Sequence, residues 1–349
     1  MKTSIAAKSD RPSTLKVWVL ASRPHTLTAS IAPVAVGWAL VQHYSKDHPI
    51  DQNLTLISFL FAAFACFIQL ATNLHNDYAD FIKGADTDKR VGQARATQKG
   101  WLTPFQTAAG STLCIAIATC IGIRLTCMMG RWDAYMIFVT ITSAFNAVCY
   151  TGGPFPLGYI GLGHLSIGYS GLGDVFVFLY FGLVATVTVP YIYIVRMILN
   201  EDAGVADVFR HELFMTSLIV ALPVGFLATG IIVVNNLRDR LTDIHVGKNT
   251  LAVKFGEAFT RIEYLVLVLG SYIMLLPLAQ IPILKGETSA DVNYLLYLPL
   301  LSFPKARGDM KAMWFKGKDG AALNPHVGGT AKIQLLYCLL LVIGLKLTK

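Results

Sequence analysis

Two stretches of this 349-residue chain gather carboxamides, carboxylates and cations at helical spacing. The first runs Asn73-Leu-His-Asn76-Asp77-Tyr-Ala-Asp80-Phe-Ile-Lys83-Gly84-Ala-Asp86-Thr-Asp88-Lys89-Arg90, with Arg95 close behind. The second runs Asn235-Asn236-Leu-Arg238-Asp239-Arg240-Leu-Thr-Asp243 and on to Gly247-Lys248. Asn73, Asp77 and Asp80 are separated by steps of four and three, and Asn235, Asp239 and Asp243 by steps of four. On a helix each trio lines one face. Carboxylates gathered this closely attract a divalent cation. Mg²⁺ takes one or two protein carboxylates and completes its octahedron with water and phosphate oxygens. Lys83, Lys89, Arg90 and Arg95 lie near enough in sequence to meet the remaining phosphate charge through charge-assisted hydrogen bonds. Arg238, Arg240 and Lys248 repeat the mixture in the second stretch. One such stretch alone reads as a solvated loop with local salt bridges. Two, each at the end of an apolar run, point to a shared Mg²⁺-diphosphate site.

The frame that must position them is membrane-embedded. Hydrophobic residues make up 54% of the chain and charged residues only 14%, where a soluble domain carries about a quarter. The apolar residues come in blocks close to the ~20 residues that cross a ~30 Å hydrocarbon core. Nine such blocks run roughly Leu27–Val41, Leu54–Thr72, Phe105–Leu125, Ala134–Tyr150, Val175–Ile194, Leu213–Val234, Leu265–Leu284, Tyr294–Phe303 and Lys332–Leu347. The first can begin as early as Leu15, interrupted at Arg23-Pro24, where proline breaks the helical ladder. The expected fold is an all-α integral membrane protein, with about nine transmembrane helices around a central cavity capped by polar loops. Residues 1–22 read as a polar, basic N-terminal tail and 23–349 as one transmembrane domain.

Charge distribution orients this frame. The net charge is +8, but the cations sit in short segments between apolar blocks. That placement suits anionic lipid headgroups and excludes a nucleic-acid surface. With nine spans, the N-terminus and the segments after spans two, four, six and eight carry 21 of the 29 Lys and Arg residues. The positive-inside bias makes this side cytoplasmic or topologically equivalent. Both acidic stretches fall on it. A bacterial inner membrane or an organellar, plastid-type membrane is expected to hold this multi-pass protein. Met1–Lys16 lacks the apolar core of a cleavable signal peptide and reads as a tail or short targeting extension.

Other features carry less. Cys66, Cys114, Cys120, Cys127, Cys149 and Cys338 mostly fall in apolar runs without metal-ligand spacing, so they read as small buried hydrophobes. Gly158-Tyr-Ile-Gly-Leu-Gly163 recurs as Gly168-Tyr-Ser-Gly-Leu-Gly173. A local duplication explains it. No strand precedes it, which removes a dinucleotide-loop reading.

The motifs resemble those of the UbiA superfamily of intramembrane prenyltransferases, in particular its 1,4-dihydroxy-2-naphthoate branch. The residues that carry the resemblance are Arg23-Pro24-His25-Thr26, Asn76-Asp77-Tyr78-Ala79-Asp80, Lys83-Gly84-Ala85-Asp86 and Arg90-Val91-Gly92. To these add Arg95-Ala96-Thr97-Gln98, Tyr150-Thr151-Gly152-Gly153-Pro154, Leu172-Gly173-Asp174, the second acidic stretch and Gly247-Lys248-x-Thr250. The resemblance implies that Asp77, Asp80, Asp239 and Asp243 are the catalytic residues and hold Mg²⁺ on a polyprenyl diphosphate. Asn73 and Asn235 stand where polar support is expected. Lys83, Arg90, Arg95, Arg238 and Lys248 stand where diphosphate contacts are expected. Gln93 occupies a position where the pattern suggests proline, and Gly84 stands where the hydroxybenzoate branch carries an aspartate. The second departure favours the naphthoate branch.

The implied chemistry is transfer of a polyprenyl or phytyl group to 1,4-dihydroxy-2-naphthoate, an aromatic acceptor that loses its carboxylate and a proton, in menaquinone or phylloquinone synthesis. Arg23, His25 and Tyr150 are the candidates to hold that acceptor. Phe145, Tyr150 and Tyr169 could shield an allylic cation with their ring faces. Two rivals are a related prenyltransferase with another acceptor and a membrane transporter. Transporters bury charge at mid-membrane between broken helices, whereas these acids lie at one boundary.

Overall fold

The structure, a computed structural model, describes residues 12–45, 53–84, 91–130, 132–149, 151, 172–200, 206–245, 247–285, 292–315 and 319–348. These form α1 (Thr14–Ser22), α2 (Pro24–Tyr44), α3 (Leu54–Ile82), α4 (Pro104–Met128), α5 (Ala134–Cys149) and α6 (Leu172–Val177). They continue with α7 (Ala185–Asn200), α8 (Ala206–His245), α9 (Leu251–Ile273), α10 (Leu275–Leu278), α11 (Phe303–Trp314) and α12 (Asn324–Leu347). The π-helical turn Phe178–Val184 joins α6 to α7, and the 3-10 helix Tyr294–Ser302 leads into α11. No strand occurs among the described residues.

Among the described residues, six helical stretches are long and apolar enough to cross a membrane, seven if the bent pair α1–α2 counts as one span. Two of the expected nine segments fall short for simple reasons. The 16 residues of α5 rise about 24 Å at 1.5 Å each, less than the ~30 Å core. The nine residues Tyr294–Ser302 rise about 18 Å even at the steeper 3-10 pitch, and α11 beyond them carries Lys305, Arg307, Asp309 and Lys311. Within the expected tail, α1 buries Val17 and Ala21 beside Leu74, Ala96 and Leu102. Thr14–Ser22 is apolar enough to pack against the rest of the domain.

The acidic trios, whose spacing placed them on helical faces, are continuous with the apolar spans. Both are helix ends. α3 continues from the apolar run through Asp77 and Asp80 to Ile82, and α8 through Asp239 and Asp243 to His245. A helix already nucleated in the bilayer gains one hydrogen bond for each residue added, so it runs on while solvation permits. Gly84 and Gly247 then end the two helices with φ of 68° and 71°, the left-handed conformation that glycine adopts without strain.

Close backbone approaches hold the bundle together, as expected where lipid removes the hydrophobic drive for helix association. A Cβ on Gly37 of α2 would lie 2.2 Å from the Thr186 carbonyl oxygen of α7, and one on Gly182 would lie 2.5 Å from the Cα of Gly225 on α8. At the bundle end remote from the acids, His43 Nδ1 and Nε2 lie 3.2 and 2.9 Å from the carbonyl oxygens of Leu345 and Ile283.

Candidate active site

Polar residues inside apolar helices build the head of one cavity of about 280 Å³. Gln69, Asn73 and Asn76 reach it from α3, Asn146 from α5, Asn235 from α8, and Arg23 and Thr26 from the α1–α2 bend. Its apolar part is lined by Phe61 and Phe64 of α3 and by Phe176, Tyr180 and Phe181 around the π-helical turn. π-turns are frequent at functional sites because they re-aim side chains within a helix. Phe145, expected among the shielding rings, is 47% exposed and does not line the cavity. Tyr169 lies outside the described residues.

The bend is set by Arg23, a non-glycine residue with φ 52°, a conformation costly enough to need support from its surroundings. Asn73 supplies it. Its Nδ2 donates to the Ser22 carbonyl at 2.9 Å and to Thr26 Oγ1 at 3.0 Å, while Gln69 Nε2 donates to Asn73 at 3.2 Å. Thus Asn73 fixes the bend that brings Arg23 to the cavity, besides lining it.

One turn further along α3 and α8 stand the carboxylates, none of which is among the lining residues. Asp77, 1% exposed, accepts from the backbone N–H of Ala96 at 3.0 Å and of Thr97 at 3.4 Å. Asp80, 2% exposed, pairs with Arg95 Nη2 at 2.7 Å. Lys248, which follows α8, also reaches Asp80, so the two acidic helix ends belong to one cluster. Asp239 accepts from Arg238 Nε at 2.8 Å and Nη2 at 2.6 Å. Asp243 ends the trio on α8, where its carbonyl accepts from the Lys248 N–H at 2.9 Å.

Lys83 Nζ donates to the Thr151 carbonyl at 2.6 Å, and Thr151 Oγ1 donates to Asn76 at 2.6 Å. The Thr151 step is thereby stitched to the first acidic helix end. Desolvation pushes the Lys83 ammonium below the usual lysine range; Asp80 pulls it up and Lys248 pushes it down. Arg90 and Tyr150 lie outside the described residues, as does the side chain of His25.

Among the described residues no three or more His, Cys, Asp or Glu side chains gather into a protein-only metal cage. The donor set suits a different arrangement. Hard carboxylate oxygens stand on two neighbouring helix ends, interleaved with Arg95, Arg238 and Lys248. Mg²⁺ needs only one or two of those oxygens when phosphate supplies the others. The residues fit a metal that arrives with a diphosphate.

Of the polar lining residues, Gln69 and Asn146 were not singled out from sequence. The available signal was an amide within an apolar span, which is costly in lipid and therefore marks a pathway or site.

Comparison with known proteins gives the family and the fold. The model of the UbiA prenyltransferase family matches residues 30–311. The chain is 30% identical over 340 residues to the 1,4-dihydroxy-2-naphthoate octaprenyltransferase of Escherichia coli (strain K12), covering 97% of each chain. It is 32% identical to the enzyme of the same name from Mycobacterium tuberculosis, covering 92% of this chain and 94% of that one. In fold it is similar to a UbiA homolog from Archaeoglobus fulgidus bound to GPP and Mg²⁺, with a TM-score of 0.52, 12% identity, and coverage of 94% of this chain and 99% of that one.

Proposed function

Because the chain belongs to the UbiA prenyltransferase family, we propose that it transfers a polyprenyl or phytyl group from its diphosphate to 1,4-dihydroxy-2-naphthoate, with loss of the carboxylate, in menaquinone or phylloquinone synthesis. The observation that carries this reading is the convergence of both acidic helix ends. Asn73, Asn76 and Asn235 line one cavity, and Lys248 reaches Asp80 from the far motif. Its naphthoate relatives, similar over nearly the whole chain, support the choice of acceptor.

In this reading Asp77, Asp80, Asp239 and Asp243 would hold Mg²⁺ jointly with the diphosphate. Bound there, the ion would supply charge neutralisation for the leaving diphosphate. Arg95 and Lys248 loosen their hold on Asp80 to meet phosphate oxygens, Arg90 joins them, and Arg238 meets the diphosphate from its place on Asp239. Donors set in place in this way act on charge as it develops, and losing one costs roughly 10²–10³ in rate. Phe61, Phe64, Phe176, Tyr180 and Phe181 keep water from the prenyl carbon and turn ring faces toward its positive charge. Arg23, His25 and Tyr150 are assigned to the acceptor, with the Arg23 guanidinium orienting its carboxylate. The ring forms a C–C bond to the prenyl carbon while the C–O bond to diphosphate breaks, and the carboxylate departs as CO₂. The polar head faces the cytoplasmic or equivalent side.

The test incubates membranes containing the protein with Mg²⁺, 1,4-dihydroxy-2-naphthoate and prenyl diphosphates of graded length, reading products by mass. A prenylated, decarboxylated naphthoquinol is expected. Turnover of 4-hydroxybenzoate with none of the naphthoate would move the protein to another acceptor, and no turnover of any prenyl diphosphate would end the assignment.

A further inference from the structure

We infer that Asn324, at the start of α12, is a positioning residue that clamps the Arg238–Asp239 pair of the second acidic helix end to the segment following the first. The functional consequence rests on the diphosphate reading above; the clamp itself does not. Asn324 Oδ1 accepts from Arg238 Nη1 at 3.2 Å, and its Nδ2 donates to the Val91 carbonyl at 2.9 Å. A guanidinium only donates and a carbonyl only accepts, so the partners fix the amide's orientation. An aspartate could not donate to Val91, and a leucine of similar size serves neither partner.

The fork of the guanidinium faces Asp239. Nε and Nη2 fork onto the Asp239 carboxylate at 2.8 and 2.6 Å. Gly92 also lies so close that a Cβ there would sit 2.8 Å from Nη2 and 3.0 Å from Cζ. Neighbouring residues on a helix do not face one another, so a fork between Arg238 and Asp239 requires the guanidinium to be held from outside α8. Asn324 and Gly92 hold it from two sides. Release of this clamp frees Asp239 to swing, which weakens grip on a metal-bound diphosphate. Arg23 at the acceptor end stands on a different element and keeps its place.

Two measurements on the detergent-solubilised full chain test this. The first is a thermal-unfolding cycle of Asn324→Leu, Arg238→Met and the double variant, with no ligand present. The second titrates Mg²⁺-pyrophosphate against Tm, alongside KM values for the prenyl diphosphate and the acceptor. Expected are non-additive losses in the cycle. For Asn324→Leu a five- to tenfold weaker response to pyrophosphate and a rise of about that size in prenyl-diphosphate KM are expected, with acceptor KM and kcat nearly unchanged. Gly92→Ala, which crowds the same guanidinium, should give the same selective pattern. Additive losses would overturn the clamp whatever the reaction proves to be. Coupling with both KM values unchanged, or raised equally, would overturn the positioning role. A wild-type protein that ignores pyrophosphate but retains the coupling would sink the diphosphate reading and leave the clamp standing.

Discussion

Lys248 Nζ lies 3.4 Å from Asp80 Oδ1 although the two residues are 168 positions apart in the chain. Asp80 is 2% exposed and Lys248 27% exposed. A surface cation reaches down to a buried carboxylate that Arg95 already holds. The contact joins a helix end from each half of the chain into one electrostatic cluster.

That cluster predicts a specific role for Lys248. Replacing it with Met removes a mobile cation that can exchange Asp80 for phosphate. Prenyl-diphosphate KM should rise about tenfold, the loss of one hydrogen bond to a charged group, and Lys248→Arg should restore most of it. Initial rates against substrate concentration give the answer; an unchanged KM in the Met variant would contradict the role.

Asp77 and Asp239 should fail differently when replaced. Asp77→Ala strands the buried Ala96 and Thr97 N–H groups, at about 1–3 kcal/mol each, so Tm should fall along with activity. Asp239 is 24% exposed, so Asp239→Asn, whose amide oxygen still accepts from Arg238, should abolish most transfer, by about 10² or more, with a smaller fall in Tm than Asp77→Ala. Thermal unfolding beside turnover separates the two, and an active Asp239→Asn enzyme would refute its role in catalysis.

The Arg95–Asp80 pair is buried on both sides. Removing one partner from such a pair costs about 3–5 kcal/mol because the other charge is stranded. Arg95→Met should therefore unfold well below the wild type, and adding Asp80→Asn should recover part of the loss. The double variant stays inactive. No recovery of Tm would mean that Arg95 matters through packing alone.

Helix contact at glycine gives a prediction outside the site. Gly182→Ala pushes a methyl group to 2.5 Å from the Gly225 Cα, forcing the π-helical turn from α8. Overpacking of this kind costs about 1–3 kcal/mol. The cavity wall of Phe181 and Val184 moves with it, so Tm and transfer should drop together. A variant of wild-type stability would show that this seam is slack.

Dependence on Mg²⁺ is the broadest expectation. Chelation with EDTA should silence transfer and added Mg²⁺ should restore it, with Ca²⁺ a poor substitute because it prefers six to eight ligands at longer distance. Activity that survives exhaustive chelation would remove the metal from the reaction.

Much of this was legible in the residues. Long apolar runs dictated helices in a membrane, since there the backbone must satisfy its own hydrogen bonds. The Asn-Asp-Asp trios at steps of three and four marked the faces that later proved to end α3 and α8. Less legible was how far those helices run: already propagating in the bilayer, they carried the acids with them until Gly84 and Gly247. The 3-10 helix Tyr294–Ser302 was equally hidden, because an apolar run does not declare its pitch.

The chain by itself determined which side chains could bind a charged ligand and which faces of which helices carry them, because those depend on spacing within one helix. Only the tertiary structure decided which cation each carboxylate meets, how Asn73 holds the bend at Arg23, and that Asn324 touches Arg238. Those pairings join residues distant in the chain. They are settled by how helices pack, through glycine contacts such as Gly182 with Gly225, and no local pattern of residues encodes that geometry.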